Sequence, residues 1–442
     1  MPKILIKNAD IITLDHPHEV LRNSDIAIAD GVIQAVGTVP GNFFPDEMLD
    51  ATDQVVMPGF FNAHTHAPMT LVRGWAEDLP LDRWFNERIW VAESALTEED
   101  VYWGAALAAA EMIRSGTVGF ADHYFWMDRV AEVVEQSGLR ATLAWCVFGL
   151  GAEQEIGGTT LNMTVEFVKR WQGAAGGRIR TVLGPHSPYV CSSAFLAQVA
   201  EQAALLGVGV HLHVAESQEQ VENSLAQHGR TPVAHLAHLG LFDGPAIAAH
   251  CIYVNDEDLS ILADKGVNVA SCPGCYMKLG MGVPPLPDML TRGINVALGT
   301  DGTASNNNLD MLEEVRLAAL MHKNARLDPQ LLPGDLALRL ATQNSARAMG
   351  FPQSGAIAPG QAADLIILDF HRPHLRPRHN LIANVIYAAQ AGDVRHVMVD
   401  GRWLMRDREL LTLDEERIIY EAEHRAWRMV GEELRVVREY RG

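Results

Sequence analysis

The sequence predicts an α/β chain built around a (β/α)8 barrel, and three observations carry that reading. Eight apolar runs bounded by turn signals lie between residues 55 and 298, each followed by a helical pattern. The runs are nearly continuous in apolar residues, as parallel strands buried on both faces require. Five of the eight end in His or Asp, and the C-terminal strand ends are where a barrel keeps its chemistry.

The elements follow in order. Residues 1–58 hold short β-like runs at Ile4–Ile6, Asp10–Leu14, Asp25–Ala29 and Val32–Val36, separated by Ala29-Asp30-Gly31 and Val39-Pro40-Gly41. The first four barrel strands are expected at Val55–Asn62, Thr117–Asp122, Arg140–Val147 and Ile179–Leu183. The second four are expected at Gly207–His213, Ala246–Ile252, Val267–Ser271 and Ile294–Leu298. Thr97-Glu98-Glu99-Asp100 reads as a capped helix start. After Gly350 short strands return at Ala363–Asp369 and His396–Val399, and a charged helix is expected from about Leu413 to Arg438. An open doubly wound sheet is the alternative, disfavoured because no Gly-rich dinucleotide fingerprint follows the first strand.

Composition narrows the class of function. The 442 residues carry 35 Lys+Arg against 55 Asp+Glu, a formal charge of −20, with 48% apolar and 20% charged residues. A nucleic-acid or anionic-membrane surface would need a basic footprint, so neither partner is expected. Five cysteines, odd in number and sparse, imply no disulfide framework. The N-terminus lacks a signal-peptide h-region, and the apolar stretch Ala105–Ile113 is interrupted by Glu111 and too short to span a bilayer. A cytoplasmic location is the expectation, and a homo-oligomer is left open.

The strand ends read as chemistry. Strand 1 ends in Asn62-Ala63-His64-Thr65-His66, strand 4 in Gly184-Pro185-His186-Ser187-Pro188 and strand 5 in His211-Leu212-His213-Val214-Ala215-Glu216. Strand 6 ends in Ala249-His250-Cys251 and strand 8 in Gly299-Thr300-Asp301-Gly302. His at i and i+2 share one side of a strand, so His64 and His66 can hold one ion together. His213 and Asp301 can complete the set and leave a position for water. A bound Zn2+ would lower that water's pKa toward about 7, with Glu216 moving protons and His250 orienting the nucleophile. Each residue alone has a plainer reading, since a strand His is usually core and an Asp-Gly usually a turn. Their joint occurrence at strand ends is what points to a metal. Alternation does not choose between His211 and His213.

With those residues in place, the chain resembles the amidohydrolase superfamily. His64-x-His66, His213-x-x-Glu216, His250 and Asp301 match its pattern. So do the flanks Val56-Met57-Pro58-Gly59-Phe60 and Gly355-Ala356-Ile357 through Gly360-Gln361-Ala362-Ala363-Asp364-Leu365. The resemblance spans essentially the whole chain and, with the nearby Glu216, favours His213 as ligand. It implies a barrel over 59–356 and a small composite β-sandwich domain from 1–58 and 357–442. It also implies one divalent metal ion per subunit on His64, His66, His213 and Asp301, zinc first, with Fe2+ or Mn2+ accepted by the same donors.

Residues 181–188 contain no Lys, which departs from the carboxylated-lysine binuclear branch and favours a mononuclear, deaminase-like site. The stretches His66–Gly74, Leu81–Trp84, Gly184–Tyr189 and Gly299–Asn307 are similar to 5′-methylthioadenosine/S-adenosylhomocysteine deaminases. By that similarity Glu93 would bind the ribose hydroxyls, His186 and Ser305 the purine and sugar side, and Trp84 would pack on the nucleoside. Glu216 and Asp301 would contact the substrate as well as act in catalysis with His250. Trp145 stands where some relatives place a carboxylate-clamping Arg, and the loop Gly149–Leu161 has none. Methylthioadenosine and adenosine are therefore expected ahead of S-adenosylhomocysteine, whose carboxylate would lack a bidentate partner.

Cys272-Pro273-Gly274-Cys275 invites a zinc or redox reading. A ribbon needs a second pair, and a cytidine-type zinc site needs an H-x-E that this chain lacks. Buried structural thiols are expected. Two alternatives to an adenine-nucleoside deaminase stand beside it. One is another mononuclear amidohydrolase acting on guanine, cytosine, a pterin or an aminotriazine; the other is a non-catalytic metal-binding relative.

Overall fold

The computed structural model describes residues 1–430. Five strands open the chain: β1 (Ile4–Ile12), β2 (Val20–Ala29), β3 (Val32–Gly37), β4 (Glu47–Asp50) and β5 (Gln54–Pro58). Eight follow: β6 (Phe60–Thr65), β7 (Thr117–Tyr124), β8 (Arg140–Val147), β9 (Ile179–Pro185), β10 (Val210–Val214), β11 (Ala246–His250), β12 (Asn268–Ser271) and β13 (Val296–Leu298). Four close the described chain: β14 (Leu365–Asp369), β15 (Val394–Val399), β16 (Arg402–Arg406) and β17 (Glu409–Leu410). Strands β6 to β13 pair in parallel, in sequence order, into one eight-stranded sheet with helices between them. This is the (β/α)8 barrel.

The expected first barrel strand, Val55–Asn62, is two strands in two sheets. β5 pairs with β1 and β14, whereas β6 pairs with β7. The chain changes sheet at Gly59, where a Cβ would come within 2.2 Å of the Val118 side chain. No residue with a side chain fits that crossing.

The second sheet has nine strands drawn from both ends of the chain. Its faces bury different cores. Val56, Leu365 and Ile367 join one cluster within this layer, while their neighbours Val55, Met57, Ile366 and Leu368 join the barrel core. Alternation on a doubly buried sheet explains why these strands read as continuous apolar runs. The sheet also folds over itself in sandwich fashion. From β16, Trp403 Nε1 donates to Glu47 Oε1 of β4 at 3.1 Å, and Arg406 Nη1 donates to the same oxygen at 2.6 Å.

The helix Glu98–Arg114 starts at the expected cap. Thr97 N donates to Asp100 Oδ2 at 2.8 Å, and Asp100 N donates to Thr97 Oγ1 at 3.4 Å. The terminal helix begins at Glu415 and docks here, with Arg425 and Arg428 on Asp100 and Glu415 on Arg114. Its expected continuation to Arg438 lies outside the described residues. Among the described residues no helix is long and apolar enough to cross a membrane.

Barrel closure needs side chains because β13 is three residues long. Asn62 Oδ1 accepts from Thr300 N at 3.0 Å, and its Nδ2 donates to Thr300 Oγ1 at 2.7 Å. Asp301 N then donates to His64 O at 3.0 Å. Gly299 permits the approach, since a Cβ there would stand 2.6 Å from that carbonyl oxygen.

Candidate active site

Three strand ends converge at the closure. His66 Nδ1 hydrogen-bonds the His123 carbonyl, and His213 Nδ1 hydrogen-bonds the His186 carbonyl at 2.9 Å. A ring nitrogen facing a carbonyl carries the proton, so Nε2 of each ring keeps its lone pair. His66 Nε2 lies 3.3 Å from His213 Nε2 and 3.2 Å from Asp301 Oδ1, and His64 Nε2 lies 3.5 Å from the same Asp301 oxygen. His64 Nε2 is buried and makes no hydrogen bond.

These separations test whether a metal fits. An ion with bonds of about 2.0–2.1 Å needs neighbouring donors roughly 3–3.5 Å apart. The donor set of three imidazoles and one carboxylate is also what zinc takes in such sites. The residues fit the group.

Electrostatics agree with a cation site. Burial pushes His64 well below the usual histidine range and His213 down to about 4. Burial also opposes charge on His66, but Asp301 outweighs it and lifts that ring to about 9. Burial likewise works against ionising Asp301, yet the adjacent His64 and His66 rings hold its carboxyl well below the usual range. The site thus favours a positive charge beside Asp301.

His211 and His213 both face the barrel interior, but at different levels. His211 Nε2 sits 2.8 Å from His64 Nδ1, so it holds the His64 ring, and His213 meets His66. The spacing that left the choice open in sequence is settled by depth in the barrel.

Above the cluster stand Glu216 and His250. Glu216 Oε2 lies 3.3 Å from His250 Nε2, and Glu216 Oε1 accepts from Gln220 Nε2 at 2.8 Å and from the Tyr189 hydroxyl. The backbone turns sharply to present these groups. Ala215, His250 and Asp301 have φ of 49°, 76° and 62°, a left-handed region costing non-glycine residues on the order of 1–3 kcal/mol each.

A cleft opens over the cluster. Trp84, Glu93, His186 and Ser305 line it, together with Glu216, His250 and Asp301. Glu93 is 5% exposed, and burial pushes its carboxyl up to about 7 against a hydrogen bond from Tyr124. His186 Nδ1 lies 3.0 Å from Ser187 Oγ, and its ring packs on Phe148. Ser305 Oγ donates to Gly302 O at 3.0 Å.

Trp145 departs from its expected place. Alternation on β8 sends it away from the cleft onto Phe167, with ring centres 5.7 Å apart, and Cys146 and Phe148 line the cleft in its stead. The loop beyond folds on an acid, since Glu155 accepts the amides of Phe148, Gly149 and Leu150. Among the described residues the cleft lining includes no Lys or Arg.

Cys272 and Cys275 are both free and buried, and burial pushes both thiols well above the usual range. Cys275 reaches the cleft wall. Sequence reasoning missed His123, Tyr189 and the role of His211. The β7 run was expected to end at Asp122, but the strand continues to Tyr124 and places His123 on the cleft. Burial pushes His123 and His211 well below the usual histidine range.

An eight-stranded barrel with a composite β layer and a His/Asp centre at its C-terminal end is the architecture of metal-dependent barrel hydrolases. Residues 55–404 match the model of the Amidohydrolase family, and the chain belongs to that family. It is 47% identical over 436 residues to a 5-methylthioadenosine/S-adenosylhomocysteine deaminase of Pelotomaculum thermopropionicum, covering 98% of this chain and 100% of that one. It is 45% identical to a 5′-deoxyadenosine deaminase of Methanosarcina mazei, covering 98% and 99% of the two chains. Among solved structures, an adenosine deaminase from Xanthomonas campestris with bound zinc superposes with a TM-score of 0.92 at 34% identity, covering 97% and 99%.

Proposed function

We propose that the protein is a metal-dependent hydrolytic deaminase of adenine nucleosides, replacing the 6-amino group by oxygen and releasing ammonia. The observation that carries this reading is Glu216 paired with His250 directly above the His64, His66, His213 and Asp301 cluster, in a cleft with Glu93 at hand. The deaminase names of the relatives support it.

A divalent ion held by those four residues, zinc first and iron or manganese as alternatives, would supply a water acidic enough to attack at neutral pH. The chain's own groups do the rest. Glu216 donates a proton to purine N1 as oxygen bonds to C6, and the proton of the attacking water passes to Asp301 and His250. Return of that water proton to the amino nitrogen breaks the C6–N bond and releases ammonia, and the proton left on the C6 oxygen restores Glu216 as the inosine analogue forms. Glu93 accepts from the ribose hydroxyls, His186 and Ser305 border the purine and sugar, and Trp84 covers the nucleoside.

The cleft bears on substrate preference. With no Lys or Arg in the lining among the described residues and Glu155 taking the loop amides, a carboxylate tail meets no bidentate partner. A methylthio group meets apolar wall. Methylthioadenosine, 5′-deoxyadenosine and adenosine are the preferred substrates, with S-adenosylhomocysteine weaker. We assign the catalytic barrel to 59–356 and the composite domain to 1–58 and 357–442, a division supported by the change of sheet at Gly59.

The test is ammonia release from methylthioadenosine, adenosine and S-adenosylhomocysteine, using protein of known metal content. Release from guanine, cytosine, a pterin or an aminotriazine instead would replace this reading with another amidohydrolase reaction. No release from any of them would leave a metal-binding relative without activity.

A further inference from the structure

His123 has no task in the reaction just described, yet it is built into the site. Its imidazole is 1% exposed, lines the cleft, and neither ring nitrogen makes a hydrogen bond. A neutral imidazole carries one donor and one lone pair. Leaving a buried polar group without a partner is destabilising. Every other histidine at this level has at least one nitrogen engaged: His64 with His211, His66 and His213 with carbonyls, His186 with Ser187, His250 with Glu216.

The position of the ring says what could engage it. One ligand nitrogen from each of His66, His123 and His213 lies within 4.8 Å of the others. The His123 ring centre is 5.1 Å from that of His213 and 6.0 Å from that of His66, both edge-on. His123 also fixes His66 through its own carbonyl, so the two residues are locked as a unit.

We infer that His123 is a metal ligand of this centre, forming with His66 and His213 an all-imidazole set that shares one ion with the His64, His66 and Asp301 set. One ion follows from the chemistry, because His66 and His213 each keep a single nitrogen free and neither can serve two ions. The inference rests on the metal site of the proposed function and adds a donor to it. Its consequence is that the centre does not depend on its one carboxylate: an ion can remain bound through imidazoles alone when Asp301 is removed.

The experiment uses Zn2+ and Co2+ with the full-length protein. His123→Phe should weaken Zn2+ binding at least about tenfold in competitive titration. It should also lower the imidazole count in X-ray absorption and change the visible Co2+ spectrum. Asp301→Ala should keep about one Zn2+ per chain, and the Asp301→Ala/His123→Phe double variant, left with His64, His66 and His213, should bind Zn2+ more weakly than either single variant. An affinity, imidazole count and Co2+ spectrum unchanged in His123→Phe would overturn the inference while leaving the metal centre standing. A wild-type chain that binds no divalent ion would overturn both. Circular dichroism on each variant separates lost ligation from lost fold, and the wild-type imidazole count decides the matter should Asp301→Ala fail to fold.

Discussion

The Tyr189 hydroxyl and the Glu216 carboxylate are joined by a hydrogen bond, so Glu216 is anchored through Oε1, by Tyr189 and Gln220, while Oε2 faces His250 at 3.3 Å. A proton carrier fixed this way presents one oxygen to the substrate and keeps the other anchored. Hydrogen bonds to charged groups contribute about 1.5–3 kcal/mol. Tyr189→Phe should therefore lower kcat about 10- to 100-fold with metal content unchanged. Steady-state ammonia release and atomic absorption on the same sample check this.

Glu216→Gln keeps the shape of the side chain and removes its proton chemistry. Turnover should fall about 10²- to 10⁴-fold or more while metal content stays at the wild-type level. Retained activity in that variant would remove Glu216 from its proposed task.

His211 would act on the proposed metal centre through His64, whose Nδ1 lies 2.8 Å from His211 Nε2. Removing a group that orients a ligand typically weakens metal binding about 10- to 100-fold. His211→Phe should show that loss in a zinc competition titration. Unchanged affinity would mean that packing alone holds the His64 ring.

Glu93 should give the substrate affinity a pH dependence. Burial pushes its carboxyl up to about 7, so it is ionised above that pH and protonated below it. The ionised form is the better acceptor for ribose hydroxyls, so KM should rise as pH falls through 7. In Glu93→Gln that dependence should vanish and KM should stay high throughout, as initial rates from pH 6 to 8.5 would show.

Glu314 predicts a stability profile. It is fully buried, accepts from Gly274 N at 2.9 Å and Asn306 Nδ2 at 2.8 Å, and burial pushes its carboxyl up to about 8 from an ordinary 4.5. Between those values the unfolded chain has lost its proton and the folded chain has kept it. The folded state therefore binds more protons, and stability falls as pH rises from about 4.5 to 8. Urea midpoints at pH 5 and pH 8 should differ less in Glu314→Gln than in the wild type.

Much of this was readable from the chain, for physical reasons. A strand buried on both faces must be apolar throughout, so the barrel strands announced themselves. His64, His66, Glu216, His250 and Asp301 were legible because a barrel puts its chemistry where strands end. What could not be read depends on depth and facing. His211 and His213 share a side of β10, and only their different neighbours separate them. Trp145 was assigned to the cleft by analogy of position, but strand alternation turns it away. Tyr189 lies in a loop, where no periodicity marks a side chain as pointing inward. The single apolar run over 55–62 concealed a change of sheet that only the pairing of β5 and β6 reveals.

The barrel's closing edge runs through its chemistry. His64 lies in the first barrel strand and His66 just after it, Asp301 follows the last strand, and Asn62 and Thr300 bridge the gap between them. A cation gripping both sides would act as a clasp across a loop of more than 200 residues, a cross-link of the kind whose entropic effect grows with the length enclosed. Catalytic readiness and mechanical integrity then share a single fastening. Chelation should unzip the molecule first between β6 and β13, seen as hydrogen exchange rising there before anywhere else in the barrel.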